Sequence, residues 1–248
     1  MNNNEEVLHD LLGYDGLKIF QRKDMLSFSL DSALLADFIR ITPRVKNIMD
    51  FGTGNAPIPL FLSLRTTKPI VGIEILEDAC FLAKKSVSYN HLEHQITIDN
   101  IDILNVHEHY LPSSFDIISC NPPFYKVTPS SVTNKLDAVS IAKHEVLIDL
   151  EQIILQAKRM LKIGGSFHFI HRVERLEEII LLLHKHHFAI KRMRFVYPVK
   201  GKKAMMVLLE ANNNGKTGSL DLLEPLYIYN EAREYTEDVL KIFRIGKG

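Results

Sequence analysis

The sequence predicts an α/β protein whose sheet is mostly parallel and ends in an antiparallel hairpin. Short β-rich runs alternate with amphipathic segments from Lys46 to about Ile170, the pattern of strands separated by crossover helices. Beyond that, Lys191–Tyr197 and Ala204–Glu210 are joined only by Pro198-Val199-Lys200-Gly201-Lys202-Lys203. Six residues with a Gly and a Pro fit a hairpin better than a crossover helix. The runs number seven in all.

The first run, Asn47-Ile48-Met49-Asp50, ends at Gly52-Thr53-Gly54 and is followed by a helical pattern through Ile58, Leu60, Phe61, Leu62 and Leu64. Pro69–Glu74 is the second strand, and Asp78–Asn90 reads as helix. Gln95–Ile98 is the third strand, with Asn100-Ile101-Asp102 as its end. Phe115–Cys120 is the fourth and closes on Asn121-Pro122-Pro123. His144–Leu161 has helical spacing, and Gly164-Gly165 is read as its C-terminal stop. Ser166–His171 is the fifth strand, and Arg175–Lys185 another helix. Before Lys46, Ala33–Ile39 is helix-like, with Asp31 or Ser32 as a candidate cap. The expected organisation is an N-terminal extension over 1–45 that packs on a ligand site, a core over 46–211, and a tail over 212–248 belonging to the same domain.

At 248 residues, with 46% hydrophobic and 24% charged content, the chain has the make-up of a soluble globular protein large enough to bury a core. Thirty basic residues balance thirty acidic ones, which argues against an overall polycationic protein but leaves local patches open. Cys80 and Cys120 form no CxxC pattern, and reduced thiols in a cytoplasmic setting fit this usage. The polar start Met1-Asn2-Asn3-Asn4-Glu5-Glu6 does not read as a signal peptide, and the longest apolar stretches, such as Ile179–Leu183, are too short to span a bilayer. No metal is expected: His107 with His109, and His184 with His187, lack the further ligands that would complete a site.

In an open α/β sheet ligands sit beyond the C-terminal strand ends. Three strand ends here carry acids, Asp50, Glu74 and Asp102, able to accept hydrogen bonds from ribose hydroxyls or an amino group. Gly52 and Gly54 allow close backbone approach. The dinucleotide fingerprint wants a third glycine at position 57, which is Pro57, with no N–H for a pyrophosphate. A nucleoside-bearing cofactor without a phosphate therefore fits better than NAD, and no GxxxxGK[ST] suggests ATP. Glu74 lies twenty positions after Gly54, the offset of an acid that binds ribose.

Asn121-Pro122-Pro123-Phe124 follows the fourth strand directly. The two prolines stiffen the turn and remove two donors. The Asn121 side-chain oxygen and the Pro122 carbonyl are candidate acceptors for one amino group, and Phe124 offers a face to a planar base or amide. A conjugated nitrogen is a poor nucleophile, and two acceptors on its N–H groups would aim its lone pair at an electrophile.

In this order, Asp50-Phe51-Gly52-Thr53-Gly54, Glu74, Asp102 and Asn121-Pro122-Pro123-Phe124 resemble the Class I S-adenosylmethionine-dependent amino-methyltransferases of the small-domain branch. Phe28–Phe38, Ala142-Lys143-His144-Glu145 and Pro225–Thr236 support the resemblance, which covers nearly the whole chain. It implies a Rossmann-like seven-stranded methyltransferase sheet, S-adenosyl-L-methionine as cofactor, and methyl transfer to an exocyclic amine of a nucleic-acid base, adenine N6 in tRNA foremost. It further implies that Asp50, Gly52, Thr53 and Gly54 lie along the methionine part of the cofactor. Glu74, with Ile75 beside it, would hold the ribose, and Asp102 with Ile103 would meet the adenine. Asn121 would bridge cofactor and substrate, while Ser29 and Asp31 close over the cofactor. Asn55-Ala56-Pro57 replaces the glycine-rich continuation common in these enzymes. Guanine N2 in ribosomal RNA and a protein glutamine are the alternative acceptors, and a non-enzymatic RNA-binding module the alternative class.

Between Glu178 and Glu210 no acidic residue occurs, whereas Lys185, Lys191, Arg192, Arg194, Lys200, Lys202 and Lys203 do. Such a local excess is a footprint for phosphates, and RNA, tRNA in particular, is the expected partner.

Overall fold

The computed structural model describes residues 5–12, 14–22, 30–122 and 149–243. Ser29, Pro123, Phe124, the Ala142–Glu145 stretch and the start of the helix expected from His144 lie outside them.

Five parallel strands, β3 (Ile48–Phe51), β4 (Ile70–Glu74), β5 (Ile96–Asn100), β6 (Phe115–Cys120) and β7 (Leu161–Arg172), form the body of the sheet. The hairpin β8 (Phe188–Val199) and β9 (Met206–Asn213) completes the seven expected strands in the order β5-β4-β3-β6-β7-β9-β8, with β9 alone reversed. Two short tail strands, β10 (Asp221–Leu222) and β11 (Leu226–Tyr229), add in parallel to the outer edge of β8 and extend the sheet to nine.

Successive strand residues feed opposite faces. Ile48, Ile117 and Ile170 join the core beneath α1 (Leu30–Phe38), α2 (Pro57–Ser63) and α3 (Glu77–Tyr89). Met49, Phe51, Ile118, Phe167 and Phe169 join the core beneath the one-turn α4 (Val106–His109), α5 (Leu150–Met160) and α6 (Leu176–Lys185). The C-terminal α7 (Glu237–Phe243) packs Val239 and Ile242 into the first core.

Several sequence expectations shift. Helix α1 begins at Leu30, so Asp31 and Ser32 sit inside its first turn rather than capping it. Its C-terminal carbonyls are met by Arg65, which donates to Ala36 O, Asp37 O and Ile39 O. Helix α5 begins at Leu150, not His144, because Asp149 and Gln152 form a reciprocal capping box at 2.8 and 3.0 Å. It ends at Met160, before Gly164-Gly165: Leu161 turns extended and pairs with Phe115, and the glycines fall in a bulge before Ser166 pairs with Ile117.

The N-terminal segment holds an antiparallel hairpin, β1 (Glu6–Leu11) and β2 (Tyr14–Arg22), that the sequence pattern did not reveal. It is stitched to α3 by polar bonds. Asn90 Oδ1 accepts from Lys18 N–H (2.9 Å), Asn90 Nδ2 donates to Lys18 O (2.7 Å), and Phe20 N–H donates to Ser86 Oγ (3.0 Å). Among the described residues no helix is long and apolar enough to cross a membrane.

Candidate active site

The C-terminal ends of β3, β4, β5 and β6 meet along one edge, and the residues just beyond them make the site. Asp50 on β3 pairs in register with Gly72 on β4 and Ser119 on β6. It is 1% exposed. Its Oδ1 accepts from Ser119 Oγ at 2.6 Å, while Oδ2 has no hydrogen-bond partner among the described residues. Burial pushes the carboxyl up to about 7, and the Ser119 bond works against that rise. The buried Thr53 hydroxyl lies near the same carboxyl and also works against that rise, without a hydrogen bond of good geometry to it. Two buried polar atoms at one strand end without well-formed bonds of their own suit a polar ligand.

The turn after β3 is held open by left-handed backbone at alternate residues: φ is 63° at Gly52, 58° at Gly54 and 70° at Ala56. A Cβ on either glycine would project into open space, so both leave a bare backbone face for a ligand. Thr53 N–H donates to Ile73 O (2.9 Å) and Gly54 N–H to Glu74 Oε2 (2.9 Å). Glu74, 4% exposed, also accepts from Leu76 N–H through Oε1 (2.9 Å). The acid thus ties the glycine turn to the loop after its own strand and retains lone pairs for further donors. Pro57 stands at the first position of α2, and buried Asn55 donates to Phe20 O of the N-terminal hairpin (2.8 Å).

Beyond β5 the expected acid is one step removed. The strand ends at Asn100, whose amide donates to Glu74 O (2.8 Å) and Ile75 O (3.0 Å) and clamps the neighbouring loop. Asp102 instead accepts from Leu104 N–H (2.9 Å) and starts the turn that carries Ile103. Ile75 is 37% exposed, and Ile103 is half-buried against the second core.

Asn121 follows β6 immediately, beside the Phe51–Cys120 register pair. Its amide nitrogen donates to the Oγ of buried Ser32 on α1 (3.2 Å), so the oxygen is the atom left for another partner. Pro122 is buried. Asp31, half-buried, precedes Ser32 in the first turn of α1. The structure therefore brings Asp50, Gly52, Thr53, Gly54, Glu74 and Asn121 to one rim.

Sequence reading missed Ser119, Asn100, Ser32 and Gly72. A Cβ on Gly72 would lie 2.8 Å from Thr53 Cγ2 and Ile98 Cδ1, so only glycine lets Thr53 pack across β4. A small residue in the middle of a strand was the available signal.

The basic stretch divides in the structure. Arg192 is not part of an open patch: its guanidinium bonds buried Glu210 (3.0 Å) and Phe38 O (3.1 Å) and lies over the Phe38 ring. A buried carboxylate needs that partner, which the sequence could not show. Arg194 donates to Glu224 O (2.9 Å), Lys191 to Ser219 Oγ (2.7 Å) and Lys185 to Glu151 (2.6 Å). Lys200, Lys202 and Lys203 stand exposed at the hairpin tip.

A mostly parallel sheet with this strand order, and a glycine turn and buried acids along one edge, defines the Rossmann-like methyltransferase class. A solved structure described as a predicted O-methyltransferase from Agrobacterium tumefaciens shares the fold. Its TM-score is 0.68 at 18% identity, over 87% of this chain and 96% of that one. Residues 44–213 match the methyltransferase domain family, and the chain belongs to that family. It is similar to the tRNA1(Val) (adenine(37)-N6)-methyltransferase of Parabacteroides distasonis, 22% identical over 88% of this chain and 91% of the relative. The enzyme of the same name from Porphyromonas gingivalis is 27% identical over 81% of this chain and 80% of the relative.

Proposed function

We propose that the protein transfers a methyl group from S-adenosyl-L-methionine to the exocyclic N6 of an adenine in tRNA, and that it works in the cytoplasm. The observation that carries this reading is the Asn121 carboxamide, held by Ser32 at the rim that Asp50 and the glycine turn also line. The names of the curated relatives supply the base and the RNA.

The residues present suit the cofactor. Buried Asp50 Oδ2 and Thr53 Oγ1, neither in a well-formed hydrogen bond, are suited with the bare faces of Gly52 and Gly54 to its charged methionine part. Glu74 has lone pairs left for ribose hydroxyls, with Ile75 beside it, and Asp102 and Ile103 are suited to the adenine. Ser29 and Asp31 would close over the site from the extension at 1–45, and we take the tail at 212–248 as part of the same domain. When bound, the cofactor supplies an electrophilic sulfonium methyl group.

This chain's residues do the rest by alignment. The Asn121 oxygen and the Pro122 carbonyl accept the two N–H groups of the amine, and the fixed φ of Pro122 limits the freedom of the turn that carries them. That pairing draws the nitrogen lone pair out of conjugation and stabilises positive charge as it develops. The alkylated nitrogen is acidic, so its proton passes to water without a strong base. Phe124 would stack on the extruded adenine, which leaves its own stack most easily in a loop. Lys191, Arg194, Lys200, Lys202 and Lys203 are the proposed phosphate contacts.

The test is transfer of tritiated methyl to separate tRNA, ribosomal RNA and protein fractions, followed by nucleoside analysis. N6-methyladenosine in tRNA is expected. Label confined to guanine N2 of ribosomal RNA or to protein glutamine would replace the acceptor, and no label in any fraction would overturn the reading.

A further inference from the structure

Strand β6 runs parallel to β7, β7 antiparallel to β9, β9 antiparallel to β8, and β8 parallel to β11. Strands β6, β8 and β11 therefore end at the same edge of the sheet. Asn121 follows the end of β6, Val199 closes β8, and Tyr229 closes β11 directly opposite Val199. Four strand spacings separate β6 from β11, a lateral distance of about 19 Å.

At this far end of the rim lies a surface recess. Tyr229, Pro198 and Val199 give it aromatic and apolar walls, and Glu231 and Arg233 give it a polar rim. Tyr229 is 39% exposed although its ring is stacked on Tyr235, with centroids 5.2 Å apart and planes 21° from parallel. Tyr235 in turn meets the edge of Phe243 on α7. The wall is thus pre-ordered. The turn behind it is closed by its own bonds, Asn230 N–H to Glu234 O (2.8 Å) and Glu234 N–H to Asn230 Oδ1 (3.0 Å). Exposed Lys200, Lys202 and Lys203 follow Val199 in the adjoining loop. An aromatic wall beside hydrogen-bonding groups suits a nucleobase, and cations alongside suit its phosphates. Glu231 and Glu234 oppose a bare polyanion, so the chemistry favours a base in the recess with phosphates on the lysine side.

We propose that this recess takes an unpaired nucleotide of the RNA substrate, a few nucleotides along the strand from the target base, by stacking on Tyr229. The site would fix the register of the strand whose target adenine reaches Asn121. The proposal rests on the RNA-methylating reading above and assigns the tail a part in substrate recognition.

The test uses the full chain and an unmodified tRNA transcript with adenine at position 37. Three quantities are measured: the dissociation constant by fluorescence anisotropy, KM against kcat for methyl transfer, and S-adenosylhomocysteine affinity. Tyr229→Ala is expected to raise both the dissociation constant and KM about 5- to 100-fold, the loss of one stacked base, with kcat within about twofold and S-adenosylhomocysteine affinity unchanged. Tyr229→Phe should retain wild-type values. Arg233 sits at φ 63°, so Arg233→Gly removes the guanidinium while relaxing the backbone. It should weaken tRNA binding with no loss of thermal stability, which covers the case in which Tyr229→Ala unfolds the tail. Wild-type tRNA affinity in Arg233→Gly together with a folded Tyr229→Ala of unchanged KM would overturn the proposal. Failure of the wild type to methylate the transcript would instead strike the functional reading itself.

Discussion

Asp50 sits at a strand end where burial raises its carboxyl from an ordinary 3.8 to about 7. A carboxyl whose pKa is higher folded than unfolded holds its proton more tightly in the folded chain. Stability from this group is therefore full below about pH 4 and is lost as pH rises through about 7. The gap between the two values, at 1.36 kcal/mol per pH unit, makes that loss roughly 4 kcal/mol. Asp50→Asn removes the ionisation and keeps both the shape and the oxygen that accepts from Ser119. An unpaired amide N–H group costs about 1–3 kcal/mol of this back. The ligand-free variant is thus expected to lose stability at pH 4 and to gain on the wild type steadily up to pH 8. The assay is urea unfolding at pH 4, 5, 6.5 and 8. His168 and His171, pushed down to about 4 by burial, lose stability as pH falls from 6.5, so the variant-minus-wild-type difference is the quantity to read. A difference that stays flat from pH 4 to 8 would refute the buried, proton-holding carboxyl.

Further outcomes follow from the same geometry. Arg192→Met leaves Glu210, whose side chain is 4% exposed, with only the largely exposed Arg40 at 3.2 Å. A loss of about 2–4 kcal/mol in denaturant unfolding is expected, recovered in large part by adding Glu210→Leu. Gly72→Ala forces Thr53 and Ile98 apart and should cost about 1–3 kcal/mol while weakening S-adenosylhomocysteine binding in calorimetry. Replacing Lys200, Lys202 and Lys203 with Gln should lower tRNA affinity and reduce the log–log salt slope by up to about 3; an unchanged slope removes that loop from the RNA surface.

Much of the fold was legible because local pattern and tertiary role coincide. The runs at Ile48, Ile70, Phe115 and Phe167 are buried on both faces and read as strands from composition alone, while edge strand β5 shows the alternation of a half-buried strand. The glycine turn announces itself because it needs left-handed backbone. The N-terminal hairpin did not, since β1 exposes most of its residues and β2 is held by Asn90 and Ser86, some seventy positions away. Strands β10 and β11 are too short to pattern and owe their existence to the edge of β8. Arg192 reads as one more surface cation until Glu210 is found beneath it. Asn100 and Ser119 were hidden for a related reason: an acid at a strand end draws the eye, whereas the neutral groups that aim it do not.

Asn121 is the acceptor proposed to align an amine at the strand edge, and the whole mechanism turns on it. The direct measurement is single-turnover methyl transfer by Asn121→Ala beside its calorimetric affinity for S-adenosylhomocysteine. A fall in rate of 100-fold or more with affinity within a fewfold of wild type is predicted. Transfer at the wild-type rate would contradict it.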